Sequence, residues 1–194
     1  MNIVNHWRDP KYVLDFIKSL CFFNLAILVN YFAVRLATKN AGPALNDIFF
    51  NYLPHLDTSF IDANGAYFLY LLTFVLIIFY QKKANFLIRS LSVLILVRTF
   101  FINLTFLGIP EGVEQTRTFF TQGGDLFFSG HVALPFMVAL VYWDNKILRS
   151  LYLGFTFVMA TEVLLGRFHY SIDVFGALFI TYGVYSFCKK YIVI

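Results

Sequence analysis

Gly123-Gly124-Asp125-Leu126-Phe127-Phe128-Ser129-Gly130-His131 and Gly166-Arg167-Phe168-His169-Tyr170-Ser171-Ile172-Asp173 are two short polar islands in a largely apolar chain. His131 and His169 stand 38 residues apart, close to the length of two helices and a turn. In a bilayer that spacing returns the chain to the side it left. Both histidines are therefore expected on one side of a membrane.

The composition requires a membrane. Hydrophobic residues make up 59% of the 194, charged residues 13%, and the mean hydropathy is +0.71. Soluble domains carry about 25% charged residues. A core of this size cannot hide so much apolar surface, so lipid is the outer solvent. Phe and Tyr, 25 and 12 of them, suit lipid-facing and interfacial positions. The pI near 9.0 comes from basic residues scattered between apolar runs. That pattern reads as topology and not as a nucleic-acid surface. Cys21 and Cys188 sit in apolar stretches and read as small hydrophobes; no Cys/His metal spacing is present. The first residues lack a cleavable signal pattern.

Hydropathy predicts an all-α bundle with six spans, at about 17–36, 64–81, 86–107, 128–143, 147–165 and 172–191, each judged against the ~20 residues a crossing needs. Residues 1–16 mix Trp7, Tyr12 and Phe16 with Arg8, Lys11 and Asp15, which suits an interfacial segment. Residues 17–194 form the transmembrane domain. Six spans put both termini on one side. That side collects Arg8, Lys11, Lys18, Lys82, Lys83, Arg89, Lys146, Arg149, Lys189 and Lys190. The positive-inside rule makes it cytoplasmic. Both islands and the long 38–63 and 108–127 loops then face the periplasm, lumen or exterior. A reporter fused at residue 194 tests this.

His169 and Asp173 are spaced i, i+4, one face of a helix start. A carboxylate there can fix the tautomer of the imidazole and leave its other nitrogen free as base or nucleophile. Taken alone, the pair also fits an Asp that opens a helix near an interfacial His. Ser129-Gly130-His131 begins the fourth span, where free N–H groups favour an anion. Glycines there allow close approach of a phosphate. The Ser129 hydroxyl can donate to phosphate, and Asp125 can orient it or a substrate hydroxyl. Arg98, an ionisable residue inside the third span, can pair with a phosphate, Asp47 or Glu162. Arg167 is the better phosphate ligand by position and Arg117 a weaker one. Glu162 can partner an arginine or tune a histidine. The chemistry these residues suit is phosphoryl transfer through a histidine.

The islands resemble the sphingomyelin synthase family, a branch of the type 2 phosphatidic acid phosphatase superfamily. Its C-G-D-x-x-x-S-G-H-T is similar to Gly124, Asp125, Ser129, Gly130 and His131. Its H-Y-[ST]-x-D is similar to His169, Tyr170, Ser171 and Asp173. Pro43 through Asp47 resembles a P-P-L-P-D stretch, and Asn64-Gly65 a following I-N-G. Arg98 through Pro110 loosely resembles a motif at the third span. Departures are Gly123 for Cys, Val132 for Thr, Arg167-Phe168 for His-Glu, and Asn46 for Pro.

The resemblance implies six spans around a chamber and a triad of His131, His169 and Asp173, with no metal or cofactor. It implies that Asp173 activates His169 to attack lipid phosphorus while His131 moves the proton. The partners are then a phospholipid donor and a lipid alcohol or water as acceptor. Phosphomonoesterases of the wider superfamily resemble one another in an added cation six residues before the second histidine; Val163 stands there. Fewer cations suit a phosphodiester, although Arg167 restores one. The leading expectation is a head-group phosphotransferase or phospholipase C-like enzyme. The alternatives are a phosphatase of phosphatidate or isoprenoid phosphate, and a non-enzymatic lipid-binding bundle.

Overall fold

The computed structural model describes residues 6–110 and 124–192. Arg117 and Gly123 lie outside them. Among the described residues all regular structure is helical: α1 (Pro10–Lys39), α2 (Ile48–Tyr52), α3 (Ser59–Phe79), α4 (Gln81–Ile102), α5 (Gly130–Val141), α6 (Lys146–Leu165) and α7 (Ser171–Tyr191).

Helices α1, α3, α4, α6 and α7 are long and apolar enough to cross a membrane. The chain is a multi-pass membrane protein. The expected fourth span is different. Helix α5 has 12 residues, about 18 Å at 1.5 Å per residue, against a ~30 Å hydrocarbon core. Its apolar character has another use. Val132, Ala133, Met137, Val138 and Ala139 are buried, and the helix packs against α4, α6 and α7. A helix apolar all round belongs inside the bundle.

Other boundaries move for local reasons. Helix α1 starts at Pro10, seven residues before the expected span, and runs unbroken to Lys39. Proline suits the first turn, and the Asp9 side chain accepts from Lys11 N at 2.9 Å. Helix α3 begins five residues before the expected span and carries Asp62 in its first turn. Helix α4 ends at Ile102 and not at 107. The chain beyond it folds back as a loop whose Phe106 carbonyl accepts from Gly42 N at 3.0 Å. Helix α6 starts where Asn145 caps it, accepting from Ile147 N and Leu148 N.

At the end away from the histidines, Arg89 on α4 pairs with Asp15 on α1 and donates to Ser19 Oγ at 2.9 Å. Asn85 donates to Asp15 at 2.9 Å, and Thr99 meets Asn30 at 3.1 Å further along the same pair. These bonds fix the register of two apolar helices. Interhelical pairs in membranes average about 0.6 kcal/mol.

Two glycines hold the histidine end closed. A Cβ on Gly124 would stand 2.4 Å from Thr38 Cα at the end of α1. One on Gly108 would stand 2.2 Å from the Pro43 carbonyl oxygen. Both contacts are with backbone, so neither can yield cheaply.

Candidate active site

The turn between α6 and α7 presents His169. Arg167 takes a left-handed φ of 58° there, and Phe168 N and His169 N return to the Val163 carbonyl at 2.9 and 3.3 Å. A left-handed residue reverses the chain within a few positions. Helix α7 then opens with Asp173 in its first turn. Asp173 Oδ2 accepts from Tyr170 N at 3.0 Å and lies 3.2 Å from His169 Nδ1. One carboxylate oxygen therefore caps the helix and holds the imidazole. A carboxylate accepts, so this contact suits the tautomer with Nδ1–H toward Asp173 and the lone pair on Nε2. Asp173 is fully buried and His169 nearly so.

The second histidine comes from α5. The rings of His131 and His169 have centroids 6.4 Å apart. The two polar islands are stitched together: Ser129 N donates to the Asp173 carbonyl at 3.2 Å. His131 has a carboxylate of its own, which the sequence reading missed. Its Nε2 stands 3.6 Å from Asp62 Oδ1. Asp62 lies on α3 and is largely buried. The available signal was an acid at the end of a span, on the histidine side.

Arg98 does not pair with Asp47 or Glu162. Its Nε donates to the Phe128 carbonyl at 2.8 Å, and one terminal nitrogen reaches both the carbonyl and the carboxylate of Asp125, the latter at 3.1 Å. Arg98 thus braces the 125–129 segment that delivers Gly130 and His131. Asp125 is committed to that brace and does not reach Ser129. The Ser129 hydroxyl is fully buried and has no hydrogen-bond partner among the described residues.

Arg167 donates to the Phe50 carbonyl at 3.1 Å, and its guanidinium lies 5.4 Å from the Phe50 ring centroid. Asp47 has two acceptor roles. Oδ1 caps α2 by accepting from Phe49 N at 2.8 Å, and Oδ2 accepts from Ser171 N at 2.7 Å. It ties the 43–50 segment to the first residue of α7. The Tyr170 hydroxyl donates to the Gly108 carbonyl at 2.8 Å and accepts from Leu45 N at 2.9 Å. Tyr170 therefore knits three segments. Glu162 is buried, and among the described residues it bonds to no arginine and neither of its carboxyl oxygens has a hydrogen-bond partner. Its backbone carbonyl accepts from the Thr58 hydroxyl at 3.0 Å.

Of the expected residues, His131, His169 and Asp173 converge. Ser129 and Gly130 lie beside them. Arg98, Asp125, Asp47 and Tyr170 support the segments that carry them.

This geometry is that of a histidine pair, His169 buried and His131 partly buried, with separate carboxylates at one end of a helical membrane bundle. Residues 122–191, which hold both islands and α5 to α7, match the family model described as PAP2 superfamily C-terminal. The match supports the type 2 phosphatidic acid phosphatase superfamily and singles out no branch within it. It supports an enzyme with phosphatase or phosphotransferase activity on lipid phosphates in a bilayer. No curated protein matches the chain.

Proposed function

We propose that the protein is a lipid head-group phosphotransferase or phospholipase C-like enzyme, resembling the sphingomyelin synthases, that acts on a phosphodiester phospholipid through a phosphohistidine. The observation that carries this reading is the pair of facing histidines, each beside its own carboxylate. His169 Nε2 attacks the phosphorus. The bond from phosphorus to the diacylglycerol oxygen breaks, and protonated His131 gives that oxygen its proton. Asp173 stabilises the charge on His169, and Asp62 the charge on His131. In the second half, His131 takes the proton of the acceptor hydroxyl. The acceptor oxygen attacks phosphorus, and the bond from phosphorus to Nε2 breaks.

The cations favour a diester. Arg98 and Arg167 both donate to protein carbonyls, and Arg98 is paired with Asp125 as well. Among the described residues that leaves little positive charge beside the histidines. A dianionic monoester needs more compensation than a monoanionic diester.

The test uses purified protein in mixed micelles with fluorescent phosphatidylcholine, phosphatidylethanolamine, ceramide and phosphatidate, and His169→Ala as control. Diacylglycerol or a new phospho-sphingolipid that depends on His169 is expected. Free phosphate from phosphatidate alone moves the protein to the phosphatase reading. Topology follows from the cation distribution: termini cytoplasmic, histidines on the other face.

A further inference from the structure

The segment 45–60, with α2 inside it, runs across the histidine end of the bundle as a strap. Its inner side is polar and fully used, through Leu45 N, Asp47 and the Phe50 carbonyl. Its outer side is not what water would select. Ile48 is 64% exposed, Tyr52 82% and Phe60 79%, with Leu45 and Leu56 about half exposed. Ile48 and Tyr52 are one turn apart on α2 and share a face. The strap has no Lys, Arg or Glu; Asp47 is buried, and the exposed polar side chains are Asn46, Asn51, His55, Asp57 and Ser59, of which the acid, Asp57, lies at the α3 end, five residues beyond Tyr52.

The apolar surface does not stop at the strap. The Phe49 ring packs 5.9 Å from that of Phe175 on α7, and α7 exposes Ile172, Phe175 and Phe179. In the other direction the strap runs into α3, which exposes Phe60, Tyr67 and Phe68. Both are membrane-crossing helices by length and composition. A short apolar segment continuous with lipid-facing helices, with a tyrosine at its outer edge, fits the boundary between head groups and acyl chains.

We propose that the 45–60 strap docks in the leaflet on the histidine side, with Ile48 and Tyr52 among the upper acyl chains. The occupant of this surface is lipid. The strap is then the element that sets the height of the histidine pair relative to the bilayer surface, because its inner side holds Tyr170, Ser171 and Arg167. This goes beyond the proposed reaction and does not depend on it.

The experiment needs no turnover, so its failure is separate from failure of the enzymatic reading. Trp7 and Trp143, the chain's two tryptophans, are replaced by Phe. Tyr52→Trp or Ile48→Trp then reports alone in phosphatidylcholine nanodiscs; the second variant serves if the first does not fold. The expected result is blue-shifted emission, strong quenching by lipids brominated high on the acyl chain, and little quenching by aqueous iodide. Water-like emission quenched by iodide overturns the proposal in favour of a solvated loop. Blue-shifted emission insensitive to brominated lipid, and dependent on the number of chains per disc, overturns it in favour of a second copy of the chain.

Discussion

Asp47→Asn isolates the strap's grip on α7. Asp47 touches neither histidine, yet its two oxygens accept from Phe49 N at 2.8 Å and Ser171 N at 2.7 Å. Ser171 lies between His169 and Asp173, so the second bond fixes the start of the helix that orients the imidazole. Asparagine keeps one acceptor oxygen and turns an NH2 toward the other N–H. One charge-assisted bond is lost, worth about 1.5–3 kcal/mol. Asp47→Ala loses both, about twice that. If the loss is felt as misplacement of His169 in the transition state, kcat falls by about 10- to 150-fold for Asn, at 1.36 kcal/mol per tenfold. KM for the lipid should stay within about twofold, because a positioning residue gives up no substrate contact. The assay is diacylglycerol release in mixed micelles, with a denaturation curve on the same preparations. Wild-type kcat in both Asn and Ala variants would refute the reasoning. So would a rise in KM at constant kcat, which would mean that Asp47 binds substrate directly.

Three other outcomes follow from the same geometry. Asp173→Asn should lower turnover by about 10³- to 10⁴-fold, the scale for carboxylate–imidazole pairs, and a radiolabelled donor should then leave no acid-labile phosphoenzyme; trapping at wild-type levels would exclude Asp173 from orienting His169. Asp62→Asn should cost roughly 10- to 100-fold, a part of the ~10²–10⁴ that acid–base catalysis supplies; full activity would show that the 3.6 Å contact with His131 does no chemical work. Gly108→Ala should destabilise the fold by about 1–3 kcal/mol, because its Cβ would overlap the Pro43 carbonyl; an unchanged denaturation midpoint would contradict the packing of the 103–110 loop on the 42–43 segment.

The convergence of His131, His169 and Asp173 was legible because their spacing is written locally. His169 and Asp173 are one helical turn apart, and that spacing survives any error in the boundaries of the spans. His131 was legible through the 38-residue return. Asp62 was not, because it reaches His131 from α3 and no local spacing links the two. The partners of Arg98 were misread for a related reason. Depth in a span says that an arginine needs a partner, but not that a loop 27 residues on supplies the Asp125 carboxylate and two carbonyls. Hydropathy drew 128–143 as a span where α5 has 12 residues, because it measures dislike of water and does not distinguish lipid from a neighbouring helix as the alternative. Helix α5 is surrounded by α4, α6 and α7, so its 12 residues need not match a bilayer.

The brace at Arg98 bears on how the site can carry charge. An arginine free to clamp phosphate would have unused N–H groups facing the histidines. Here Nε and one terminal nitrogen are spent on the Phe128 and Asp125 carbonyls, and the Asp125 carboxylate balances the charge. The second cation, Arg167, is turned toward Phe50. The same bonds that make the site rigid therefore make it poor in positive charge. A buried phosphoryl group is costly unless its charge is compensated. A diester brings one negative charge, the smaller demand on a site with few cations. A monoester brings a second charge, whereas Arg98 is already balanced by Asp125 and Arg167 is turned toward Phe50. Rigidity and substrate charge are in this way one property of the fold: loosening Arg98 to bind phosphate would release the 125–129 segment that places His131.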